Sequence, residues 1–211
     1  METILEQHRK HLAVMRGWLD GRRYYQAAEA LEWSRRLEQG TRKDGETPRF
    51  DHQLSIARLI LTLEPHLLYP EETMTVCFLH DEIEDHGDVA SRQEIERRFA
   101  GRVAEATWRM SKKGRGFTKT LELYFAELAE DPIASVVKPA DRIHNVQTMP
   151  GVFSPAKQQT YLQEVDEWFF PLIKNARRNF PRQFPAYENL RIILRCQYDL
   201  LKAAQPAEVT P

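Results

Sequence analysis

The residues Cys77–Gly87 read CFLHDEIEDHG, so that an apolar run stops at His80 and four acids and a second histidine follow within six residues. Side chains adjacent on a helix point about 100° apart, and His80 and Asp81 can therefore share one ion only if it sits at the seam between their directions. On its own the stretch reads equally well as a helix leaving the core, with Glu84 and Asp85 in water. What a solvated helix end does not explain is polarity on faces that should be buried. His80 follows Val76-Cys77-Phe78-Leu79, His52 shares an apolar face with Ile56, Leu59, Ile60 and Leu63, and Asp141 follows ASVVKPA. A buried histidine needs a hydrogen-bond partner or a metal. Ligands arriving from three core helices point to one polar centre, and a mixed histidine and carboxylate set suits Mn²⁺, Fe or Zn²⁺ better than Ca²⁺.

The elements that must position these residues have helical spacing almost throughout. The 52–63 stripe predicts a helix that Pro65 stops, and Met74 to Ile83, apolar on nearly all sides at its start, predicts a central helix. Ile95, Phe99, Val103 and Met110 share a face if Gly101 marks a break or kink, and Leu121, Tyr124, Phe125 and Leu128 form another stripe. Asp131-Pro132 and Ser154-Pro155 each read as a cap followed by a first-turn proline. The second of these opens a helix carrying Tyr161, Val165, Trp168, Phe169, Leu172 and Ile173, which Pro171 should kink. Leu190, Ile193, Leu194, Gln197 and Leu201 predict a last helix. No alternating strand or internal repeat is present. The expected fold is all-α, a single domain over residues 1–205 with about eight to ten helices, and 206–211 a frayed tail.

Composition is that of a folded protein: 42% hydrophobic and 29% charged residues in a chain of 211. Thirty basic and thirty-one acidic residues leave a formal charge of -1, so no global positive field exists to hold a nucleic acid. With two cysteines, a charged N-terminus and no apolar run of about eighteen residues, the expected setting is the cytoplasm, away from any membrane.

His52, then His80-Asp81, then Asp141 resembles the H...HD...D pattern of HD-domain metal phosphohydrolases. More narrowly, RKDGETPRFDH, FLHDEIED, VVKPADRIHNVQTM and SPAKQQTYLQEVDEWFFPLI resemble four successive blocks of the hydrolase domain of RelA/SpoT homologues and of small alarmone hydrolases, over residues 41–175. That resemblance implies Mn²⁺ held by His52, His80, Asp81 and Asp141, and acid–base work by Glu84 and Asp85. It also implies Arg42 and Lys43 as a basic pair at the nucleotide, with Asn145 and Thr148 facing the nucleoside. The implied reaction removes the 3′-pyrophosphate from guanosine tetra- or pentaphosphate. A stand-alone enzyme of this kind could serve a cognate small alarmone synthetase. An adenosine alarmone, NADPH or a dNTP remain alternative substrates, and a non-catalytic nucleotide-sensing module an alternative of another class. His144 is expected to be structural, and SKKGRG at 111–116 is either a phosphate-binding or an ordinary loop. The chain departs from the family pattern at Arg49, where an aromatic is usual, at Gln53 and Pro139, at His86, where threonine is usual, and by one extra residue between Arg42 and His52.

Overall fold

The computed structural model describes residues 2–204; the tail at 206–211 lies outside them. Twelve helical segments and one small hairpin follow in the order α1 (Ile4–Arg22), α2 (Tyr25–Leu37), α3 (Asp51–Leu63), α4 (Pro70–Leu79), α5 (Glu82–Asp85), α6 (Arg92–Phe99), α7 (Gly101–Met110), β1 (Lys113–Gly114), β2 (Phe117–Thr118), α8 (Leu121–Ala129), α9 (Ala134–Thr148), α10 (Pro155–Glu164), α11 (Phe170–Asn179) and α12 (Phe184–Ala204). Since α5 is a single turn and α10 runs on into α11, the rods number ten, and the fold is all-α as expected. The two-residue strands of the hairpin are the one departure from a purely helical reading. No helix among the described residues is long and apolar enough to cross a membrane.

The centre of the protein is α4. Every residue from Thr73 to Leu79 is buried, and the helix packs on α2, α3, α7 and α9. A helix apolar all round needs partners all round, and each buried Val, Leu or Phe in it contributes roughly 1.5–3 kcal/mol of burial. The helices α3, α4 and α9 also pack on one another in all three pairings. α3 and α9 carry His52 and Asp141 and His80 caps the C-terminus of α4, so core packing itself draws the polar residues to one place.

Local chemistry sets the ends of these helices. Asp131 Oδ1 accepts from the amides of Ile133 (2.8 Å) and Ala134 (2.7 Å) to start α9, and Ser154 Oγ caps α10. Before Pro171, where a kink is expected, the five residues Val165–Phe169 form a π turn, wider than an α turn, which accommodates the proline ring's missing donor and its clash with the preceding turn. The break between α6 and α7 falls on Ala100 at φ 76°, ψ 164°, one residue before the expected Gly101. The N-terminal helix α1 was not foreseen, although its capping box is written in the sequence as Thr3 and Glu6, each side chain bonded to the other's amide.

Candidate active site

The apolar helix α4 ends at Leu79, and His80 and Asp81 occupy the bend before the short α5. They are therefore not adjacent on one continuous helix, as the spacing suggested. The bend lets both side chains turn the same way: His80 Nε2 lies 3.0 Å from Asp81 Oδ2. From α3, His52 Nε2 lies 3.9 Å from the same oxygen and 3.1 Å from Asp141 Oδ1, which itself is 4.0 Å from His80 Nε2. Atoms bound to one transition-metal ion at about 2.0–2.2 Å are at most about 4.4 Å apart, and all four distances fall within that limit.

The nitrogens present the right faces for an ion. His80 Nδ1 donates to the carbonyl of Cys77 (2.9 Å), so that the ring in its neutral form carries its lone pair on Nε2. That atom is buried and makes no well-formed hydrogen bond, despite its closeness to Asp81. The far nitrogen of His52, Nδ1, is 2.8 Å from His144 Nδ1, so the two rings share one proton and Nε2 of His52 faces the centre. An orphaned buried nitrogen beside a second imidazole and two carboxylates is a donor set that fits a divalent cation.

The charges are arranged around the carboxylates. Lys138 Nζ sits 2.9 Å from Asp141 Oδ2, on the oxygen that does not face His52. Burial opposes charge on Asp141, but Lys138, His52 and His80 outweigh it and hold its carboxyl well below the ordinary range. Asp81 is held at about 2 in the same way, burial being outweighed by His80. Burial and the neighbouring His52 and Arg42 push His144 down to about 3, so that it is a neutral hydrogen-bonding ring. Asn145 donates to Asp141 Oδ1 at 2.5 Å.

The centre forms part of the wall of a cavity of about 680 Å³, a size that suits a small-molecule ligand. Arg42, Lys43, Asn145 and Thr148 all line it. Among the described residues neither Arg42 nor Lys43 makes an ion pair, whereas the other lining cations, Arg49, Lys138 and Arg142, are all spent on carboxylates. Lys43 lies 4.7 Å from the centre of the Phe153 ring, with Lys157 4.5 Å from the same centre. Burial, and then repulsion from Lys157, lower the Lys43 pKa. Two ammonium groups on one ring and a free guanidinium make the cavity mouth receptive to an anion.

Comparison with known proteins bears directly on this arrangement. GTP pyrophosphokinase rsh of Brucella ovis is 32% identical over 133 residues, covering 59% of this chain and 17% of that protein. The guanosine-3′,5′-bis(diphosphate) 3′-pyrophosphohydrolase of Aquifex aeolicus is 33% identical over 136 residues, 62% of this chain and 18% of the relative. A probable enzyme of the same name from Synechocystis is 33% identical over 142 residues, covering 64% and 18%. The structure of a metazoan ortholog of SpoT, described as hydrolysing ppGpp and acting in starvation responses, matches with a TM-score of 0.58 at 19% identity, over 78% of this chain and 93% of that one. No protein-family model matches the chain. This chain is a relative of the RelA/SpoT homologues. It has the all-α HD-domain fold of the metazoan SpoT ortholog, and it spans under a fifth of the length of the curated relatives it matches.

The acidic pair expected from these RelA/SpoT relatives is split. Asp85 lines the cavity and pairs with Arg49. Glu84 does not line it; its Oε1 accepts from the amides of Lys112 (2.5 Å) and Lys113 (3.4 Å) and anchors the hairpin. Those amides are consequently engaged, and the 111–116 loop serves Glu84 rather than a phosphate. Two contributors went unforeseen. Lys138 stands three residues before Asp141 on α9, a spacing that places both on one face. Glu38, from the end of α2, holds Arg49 in the cavity wall and also pairs with His86. Its sequence neighbourhood carries no comparable signal.

Proposed function

We propose that residues 1–205 act as a single HD-type domain that hydrolyses the 3′-pyrophosphate of guanosine tetra- or pentaphosphate to GDP or GTP, with Mn²⁺ as the metal. The observation that carries this reading is the convergence of His80 with His52, Asp81 and Asp141, the last three in the wall of a cavity whose free cations are Arg42 and Lys43. The names of the curated relatives agree with it.

In this mechanism Arg42 and Lys43 bind the substrate's phosphates, and Arg42 lies flat against the base. A divalent ion held by the four ligands would supply charge neutralisation at the phosphate and activation of water near neutral pH. His144 keeps His52 oriented, and Asn145 and Lys138 keep Asp141 charged and fixed, while Asn145 and Thr148 border the nucleoside. Asp85 transfers the proton, its carboxylate released from Arg49 when phosphate takes the guanidinium. Glu84 then acts by holding the hairpin rather than by touching substrate. The reading includes a cytoplasmic setting and a small alarmone synthetase as the source of substrate.

The test is product analysis with Mn²⁺ and after chelation, against guanosine and adenosine alarmones, NADPH and dGTP in parallel. Metal-dependent pyrophosphate release from a guanosine alarmone establishes the reading. Turnover of another nucleotide alone reassigns the substrate, and no turnover of any of them refutes the enzyme.

A further inference from the structure

A second group of potential ligands lies against the cavity wall and shares no residue with the first. Ser34 and Glu38 stand four residues apart on α2 and its C-terminal cap, and Glu82 and His86 four apart on α5 and its C-terminal cap. Each pair occupies one helix face, and the two faces meet. The Ser34 hydroxyl donates to Glu82 Oε1. The other oxygen, Oε2, is buried with no hydrogen-bond partner and lies 4.0 Å from His86 Nε2, on a side chain with no solvent exposure. Glu38, 1% exposed, brings Oε1 to 3.1 Å from the same His86 nitrogen. Its second oxygen is held from outside by Arg49.

Atoms of Glu38, Glu82 and His86 thus lie within 4.8 Å of one another, and the contacts of His86 Nε2 with Glu38 and Glu82, 3.1 and 4.0 Å, fall within the span of one ion's ligands. A buried carboxylate oxygen left without a partner is destabilising unless something else satisfies it. We propose that Glu38, Glu82 and His86 form a second divalent-cation site, of the Zn²⁺ type with three protein ligands. Two carboxylates and a neutral imidazole balance a doubly charged ion, and the Arg49–Asp85 pair above them is neutral as a unit. The orphaned Glu82 oxygen gains its partner. Arg49 becomes the outer support of a ligand carboxylate, a common arrangement around bound metals. Because Glu38 and Arg49 both line the cavity, the ion fixes the position of the guanidinium there.

The experiment is metal stoichiometry. The chelator-stripped full chain is dialysed against Zn²⁺ and its metal content measured by elemental analysis, with Co²⁺ absorption as a second readout of the same sites. The expected result is that His86→Gln holds one ion fewer than the wild type and loses one of two Co²⁺ spectral components. Glu82→Gln should do the same, and His52→Gln should remove the other ion. His86 is 24% exposed, so its substitution spares the core, and circular dichroism verifies the fold. One ion per wild-type chain, or an unchanged stoichiometry in His86→Gln, overturns the second site. An unchanged stoichiometry in His52→Gln alone would instead count against the proposed catalytic centre and leave the second site standing.

Discussion

Replacing Lys138 by methionine tests the electrostatics of the centre without touching a ligand. The ammonium lies 2.9 Å from Asp141 Oδ2, with the two side chains 15% and 7% exposed. Burial would discharge Lys138, yet Asp141, Tyr124 and Asp81 hold its pKa well above the ordinary lysine value. Breaking a buried pair by removing one partner costs about 3–5 kcal/mol, because the other charge is left uncompensated. In a domain of this size each kcal/mol moves Tm by about 2–4 °C, so the metal-free variant should melt about 6–20 °C below the wild type. A divalent ion on Oδ1 replaces part of the lost neutralisation. The Tm gain on adding saturating Mn²⁺ should therefore be larger in Lys138→Met than in the wild type, by about 2–4 °C for each further kcal/mol of metal stabilisation. Differential scanning calorimetry with chelator and with Mn²⁺ measures both quantities. A loss under about 2 °C without metal, or an equal metal-induced gain in the two proteins, would show that Lys138 does not hold the charge of Asp141.

Three further substitutions probe other links. His144→Phe removes the partner of His52 Nδ1 and should weaken Mn²⁺ binding about 10–100-fold with the fold intact, as isothermal titration would show. Arg42→Ala removes one of the two free cations at the cavity and should raise KM for an anionic nucleotide about tenfold, with a smaller change in kcat, in steady-state kinetics. Ala100→Gly relieves a backbone conformation at φ 76°, ψ 164° that is close to glycine-only; it should stabilise by about 1 kcal/mol and raise Tm by about 2–4 °C.

The helical rods were legible because their stripes repeat at helical spacing, and three of the four residues of the candidate centre stood out for a related reason. His52, His80 and Asp141 break apolar patterns, and a polar side chain on a buried face declares that something satisfies it. The packing of α3, α4 and α9 then brings them together. Features that depend on a single backbone geometry were not legible. The π turn before Pro171 and the positive φ at Ala100 are set by backbone dihedrals, which the spacing of apolar residues does not record. Lys138 escaped notice because a lysine in an amphipathic helix reads as solvated, and only its distance from Asp141 assigns it inward.

The bend at His80-Asp81 has the largest consequence for chemistry. On an unbroken helix, Glu84 and Asp85 would both lie one turn beyond the ligands, and either could serve as the acid or base. A new turn starts at Glu82, and on it these adjacent carboxylates point about 100° apart. Glu84 turns to the amides of Lys112 and Lys113, while Asp85 turns to the cavity and Arg49. The same contact that restrains Asp85 places a guanidinium where a phosphate can take it. Under the proposed mechanism, substrate binding and the release of Asp85 would be coupled through one residue, Arg49.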